Sequence, residues 1–423
     1  HTIDGGQALT LVSGTAATTI TGNIGAGTAL TGLTITNGTA NGTITFGGNI
    51  GDGSGAGVEG TTSIGNANTA DLNFNSTIYS FDGATTITAA SGDNIDIAAG
   101  SDTTFTTAAD NITFATANIA LADGSDLTVD TGAAGGNITI GEIAGTTVET
   151  VTLDAGTGTT SVGVIGSGTE IGVVSIGSAQ NGGITLNGAI TTDGSVTIDG
   201  PVTLATGAIS VTTANDAITF NHTIDGGQAL TLVSGTAATA IQGEIGGNTA
   251  ISSLTITNGT ANGTIEISNI GGVTGATAIG NTNTGTITLD GTAYTTTGTQ
   301  TYTAATGQNI DITGAATFTT TNSNIAFNTS GVDLANNGTT TINTGAGAGT
   351  VTFGAAIEGN SASSPFNDLL VITSGTGDVT FTGAIGATNA LGGLSVNESS
   401  GDGDITFTST IGDGGNAGVV GTT

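Results

Sequence analysis

Carboxylates are the first residues in this chain that could do chemistry. Asp402 and Asp404 share a Gly-Asp-Gly-Asp stretch, and Asp193 and Asp199 flank a short alternating run. Paired acids of this kind serve β-helical glycoside hydrolases. No aromatic platform for a sugar accompanies them, because Trp is absent and Tyr occurs only 3 times. β-Helical lyases are excluded by the lack of an Arg or Lys base. The expectation is a non-enzymatic protein with no catalytic residue. Asp-Gly turns with backbone carbonyls offer hard oxygen ligands, so structural calcium is the more plausible use of these carboxylates. Neither a GGxGxDxUx nonapeptide nor an EF-hand loop is present, so no metal ligands are assigned and no cofactor is expected.

Other residue types offer weaker chemistry. His1 and His222 occupy equivalent positions of one repeat, as loop residues or as a stacked metal pair. Tyr79, Tyr294 and Tyr302 could stack on glycans, but packing in a core or on the surface is the preferred reading. Thr34/Thr36, Thr43/Thr45 and Thr255/Thr257 could order water as an ice-binding ladder does, although abundant Thr yields such pairs by composition. Asn37, Asn41, Asn75, Asn111 and Asn258 head Asn-x-Ser/Thr sequons that glycosylation would use.

Missing residues narrow the classes further. The 423 residues include no Lys, Arg, Cys, Met or Trp, and the net charge is −32. A chain without cations cannot neutralise phosphates, which argues against nucleic acid as a partner. An anionic membrane surface repels it, and no transmembrane run is present. Lack of Lys removes the Walker A loop and the Schiff base, and also isopeptide staples. Lack of Cys removes disulfides, thiolate metal sites and Fe–S clusters. Trypsin has no site, and no sulfur is available to oxidise. These absences suit a protein exported in bulk to the cell exterior.

The elements that must position these residues are short strands. Period-two alternation marks Leu33-Thr34-Ile35-Thr36, Thr43-Ile44-Thr45-Phe46, Asn94-Ile95-Asp96-Ile97, Asn137-Ile138-Thr139-Ile140 and Ser195-Val196-Thr197-Ile198. Each has one apolar face and one Thr, Asn or Asp face. Turn pairs such as Asn37-Gly38, Asp123-Gly124 and Asp193-Gly194 separate them. No segment carries a capped 3.6-residue period, so almost no helix is expected.

Long-range repetition organises the strands. Residues 1–20 recur at 222–241 with one change, and TGLTITNGTANGTI (31–44) returns as SSLTITNGTANGTI (252–265). A diverged copy begins at Val351, and TIGDGGNAGVVGTT (410–423) matches NIGDGSGAGVEGTT (49–62). The expected arrays are 1–221, 222–350 and 351–423, forming one continuous piece of a longer protein. Four-residue strands cannot bury an apolar face alone but can when stacked on copies of themselves. Two or three strands per turn give a rung of roughly 20–30 residues, the scale of a parallel β-solenoid. Ile, Val, Leu and Phe would point inward and Thr outward, with Asn at corners bonding along the axis. The alternative is a tandem β-sandwich array; the short strands and the lack of Trp disfavour it.

The phrases ITFNHTIDGGQALTLVSGTAATAIQGEIGGNTAISSLTI (218–256), VTFTGAIGATNALGGLSV (379–396) and ITLNGAITTDGSVTI (184–198) resemble the filamentous-haemagglutinin-like β-strand repeats of large bacterial surface exoproteins. The resemblance covers most of the chain and implies an exported right-handed β-helix acting as adhesin, stalk or fibre. This sequence shows no Arg-Gly-Asp tripeptide and no basic heparin patch. The expectation is a structural protein of a surface fibre, sheath or stalk, with copies of itself as partners. An adhesin binding a surface glycan or protein is the alternative, and loops 51–62 and 359–367, the latter with Pro365 and Phe366, are where its binding site would sit.

Overall fold

The computed structural model describes residues 1–420 except 99, 147, 179–181, 336–337, 361–365, 400 and 413–417. Pro365 and part of the 410–423 repeat therefore lie outside the described residues. The chain forms two compact units, 1–206 and 207–423. The repeat starts at 222 and 351 both fall inside the second. Among the described residues there is no helix.

Each unit is a parallel β-solenoid with three strands per rung. In the first unit one face is built from Ala8–Ser13, Gly32–Asn37, Thr62–Gly65, Thr85–Thr88, Ile112–Ala115, Ile138–Ala144, Thr160–Ile165, Ile184–Leu186 and Val202–Leu204. A second face begins with Thr18–Ile20, Gly42–Phe46 and Thr69–Phe74. The third begins with single bridges at Ile3, Ile24 and Ile50 and continues through Ile78–Ser80, Thr103–Thr106 and Leu127–Asp130. The second unit repeats the plan, with one face running from Ile209–Thr213 to Ile405–Phe407. All-parallel pairing sets the sandwich aside. Ile184 sits beside Val202 and Thr339 beside Leu369, so a rung takes up as few as 18 and as many as 30 residues.

Alternation decides what is inside. Gly32–Asn37 and Ala229–Ser234 bury every second side chain. Stacked in register, these side chains form ladders, of which the aromatic ones are the most regular. Tyr302, Phe327, Phe353, Phe381 and Phe407 stack with centroids 5.1, 5.1, 5.4 and 4.8 Å apart and planes within 13°. Offset stacking suits the ring quadrupole, and the rung spacing matches the ring separation.

Corners use two devices. Asn side chains cap the next rung, as expected: Asn111 Oδ1 accepts from the Asn137 amide at 2.9 Å, and Asn137 Oδ1 from the Thr159 amide at 2.9 Å. Glycine supplies the tightest turn. Gly25, Gly246 and Gly386 have φ of 67°, 70° and 62°, and a Cβ would meet the carbonyl oxygen of Gly57, Gly272 or Gly418 at 2.0, 2.0 or 2.1 Å. Both left-handed backbone and close approach exclude a side chain there.

In the second unit the repeat also turns by one face. Ala229–Ser234 lies on the face that carries Val379–Phe381, whereas its counterpart Leu369–Ser374 lies on the sheet with Thr339–Asn343 and Gly393–Glu398.

Candidate functional site

The expected acid pairs do not converge on a cleft. Asp402 and Asp404 are exposed, and the Asp404 amide donates to Asp378 Oδ1 at 2.9 Å. Asp193 is an exposed turn residue, while Asp199 ends the strand Val196–Asp199. His1 is exposed and His222 half-buried. Neither stacks on another His, because the next rung presents Gly22 against His1 and Gly243 against His222. Among the described residues no group of three or more His, Asp or Glu side chains is placed to hold a metal ion.

All three tyrosines are buried, in line with the packing reading and against glycan stacking. Tyr79 stacks on Phe105 at 4.9 Å, Tyr294 on Phe318 at 4.7 Å and Tyr302 on Phe327 at 5.1 Å. Burial raises all three hydroxyls above their usual titration range. Two sequons are corrected as well. Asn37 and Asn258 are fully buried, with Nδ2 donating to Ser13 Oγ at 2.8 Å and to Ser234 Oγ at 2.9 Å. Asn41, Asn75 and Asn111 are exposed.

Loop 51–62 is a rim feature. Asp52 Oδ1 accepts from the Ser54 amide and hydroxyl, both at 2.8 Å, and from the Gly55 amide at 3.0 Å. Those bonds, the Ser54 amide first, hold its carboxyl below the usual range. Residues 53–56 border a hollow of about 360 Å³ with Ser80, Asp82 and Thr106. At the other expected loop, Phe366 is half-buried, and its carbonyl lies against Gly392.

Two carboxylate arrangements were not legible beforehand. Glu149 is buried, which pushes its carboxyl up. Bonds from the Thr146 hydroxyl and amide, its own amide and the Gly124 amide outweigh that and hold it below the usual range. In the second unit, register places Glu266, Thr288, Asp311, Asp333 and Glu358 in one outward column. Asn309 Nδ2 donates to Asp333 Oδ2 at 2.7 Å, and Glu358 Oε2 accepts from the Asn389 amide at 2.8 Å. Partial burial raises the Asp311 and Asp333 carboxyls, Asp333 further because Asp311 and Glu358 flank it.

A raised acid destabilises the fold when ionised. That cost is present above the folded value and disappears as pH falls below the ordinary carboxylate range of about 4. Asp311→Asn is therefore expected to raise the urea midpoint at pH 7 and to leave it unchanged near pH 3. A gain that persists at pH 3 would contradict this origin.

The same register draws a second column on the first unit. Thr10, Thr34, Ser63, Thr86, Thr113, Thr139, Ser161, Thr185 and Thr203 follow one another on nine successive rungs, all outward and none buried. Asn187 Nδ2 donates to Ser161 Oγ at 3.0 Å; the other eight hydroxyls have no side-chain hydrogen bond among the described residues. Beside the column, Gly141 and Gly163 floor a shallow notch of about 420 Å³. The second Thr rank that an ice-binding surface would need is not continuous: the neighbouring column holds Val12, Thr36, Gly65, Thr88 and Ala115. A two-rank ice-binding lattice is thus not formed on this face. The chain matches no protein-family model, no curated protein and no solved structure.

Proposed function

We propose that this chain is a non-enzymatic structural stretch of an exported bacterial surface fibre, sheath or stalk that associates with copies of itself. The observation that carries this reading is the in-register stacking. Inside each unit the side chains form aliphatic and aromatic ladders, and outside they form hydroxyl, amide and carboxylate ladders. Such a stack lengthens by one rung for each added repeat, and each rung contacts only its neighbours. The resemblance to filamentous-haemagglutinin-like repeats points the same way. A chain without Lys, Arg, Cys or Met also offers little to trypsin-like proteases or oxidants outside a cell. The adhesin reading is favoured by one feature, the rim loop 51–62 with its polar hollow.

Antibodies raised against the purified chain test the reading on the producing cells. Labelling of intact, unpermeabilised cells along extended surface material is the expected result. Labelling that requires permeabilisation would overturn it.

A further inference from the structure

We propose that the nine-rung hydroxyl face of the first unit is the surface on which a second copy of this chain docks side by side. This inference rests on the fibre reading above and names its contact face.

Three observations point there. The first is charge. The chain carries −32 and no cation, so two copies repel over most of their surfaces. The strand segments beneath the hydroxyl column contain no Asp or Glu until Glu142, which lies past the column at the corner. The other two faces of the same unit carry Asp71 and Asp96, and Asp130, Asp154 and Asp199. Of the three faces of this unit, only this one lets a like-charged copy approach.

The second is free hydrogen-bonding capacity. Eight of the nine hydroxyls have no side-chain hydrogen bond among the described residues. Each can both donate and accept, so a hydroxyl ladder is complementary to itself. Flanking outward positions hold small residues, including Gly32, Ala115, Gly141 and Gly163, which leave the hydroxyls accessible to a flat partner.

The third is pitch. Parallel rungs repeat at about 4.8 Å, so the column is roughly 38 Å long. Only a partner with the same repeat stays in step over nine rungs, and a second parallel solenoid of this chain has it. With outward positions about 7 Å apart, the face offers roughly 500 Å² per copy, or about 1,000 Å² in a pair. That lies at the lower limit for a specific contact, so association is weak and strengthens as salt screens the remaining charge.

Thr113 is the middle residue of the nine. In either two-fold arrangement of the faces, antiparallel or parallel, it meets its own copy. The chain has no cysteine, so Thr113→Cys introduces a unique thiol. Thr128→Cys, on the third face, is the control. Under copper–phenanthroline oxidation at 0.5 M NaCl, Thr113→Cys is expected to form disulfide dimers roughly tenfold faster than the control, as the effective concentration in a docked pair requires. Thr86→Glu combined with Thr139→Glu should lower the weight-average sedimentation coefficient of the otherwise unmodified chain to the monomer value, with far-UV circular dichroism unchanged. Equal crosslinking at both positions, or association that survives the paired Glu substitutions, would overturn the assignment of this face. Both experiments use purified protein, so surface labelling of cells can succeed while they fail, and the fibre reading then stands without this contact.

Discussion

Phe353→Ala is expected to lower the unfolding free energy of the second unit by about 3–5 kcal/mol. Phe353 is buried between Phe327 and Phe381, with centroids 5.1 and 5.4 Å away and planes within 6°. Removing the ring opens a cavity that neighbouring rungs cannot fill, because hydrogen-bonded ladders on both sides fix their spacing. Phe353→Leu retains most of the volume and loses the ring stacking, at about 1–2 kcal/mol. Urea unfolding followed by circular dichroism measures both. Equal, small losses for the two variants would show that the stacked column is not part of a packed core.

Asn37→Leu is the second large effect, at about 2–4 kcal/mol, because each polar partner left unsatisfied in the interior costs about 1–3 kcal/mol. Asn37 Nδ2 donates to Ser13 Oγ at 2.8 Å, and its Oδ1 accepts from Thr69 Oγ1 at 2.8 Å. The side chain thereby ties together three successive rungs. Its counterpart Asn258 donates to Ser234 Oγ at 2.9 Å, but its Oδ1 has no hydrogen-bond partner. Asn258→Leu should therefore cost less than Asn37→Leu, although the surrounding sequence is nearly the same. The reverse order in matched urea titrations would contradict this account of the buried network.

The pair also illustrates what the sequence makes legible. Alternation in runs such as GLTITN identifies the strand and its inward side, and Gly and Asn mark the corners. The axial bonds of Asn111 and Asn137 follow from those corners. The burial of Asn37 does not follow. It ends a strand whose alternation carries its side chain inward, and only the next rung supplies Thr69 to receive it. Tyr79, Tyr294 and Tyr302 were ambiguous for a related reason: a phenol can face either way until the neighbouring rings are known.

Columns were hidden more thoroughly. Rungs vary between 18 and 30 residues, so residues that stack have no fixed separation in sequence. Ile138–Ala144 and Thr160–Ile165 each span two faces, which shifts the count again. Thr34 and Ser63, or Asp311 and Asp333, become neighbours only once the register is known. The rotation of Leu369–Ser374 onto a different face from Ala229–Ser234 compounds the difficulty, since corresponding repeat segments no longer take the same face.

Distances between spin labels on the hydroxyl column test the stacked parallel rungs most directly. Thr10→Cys is paired in turn with Thr113→Cys, Thr139→Cys, Ser161→Cys and Thr203→Cys, and each pair is measured by double electron–electron resonance. The solenoid predicts separations that grow by about 4.8 Å per rung, to roughly 38 Å between Thr10 and Thr203. Distances that do not increase steadily with rung number, or a short separation between those two outermost residues, would contradict it.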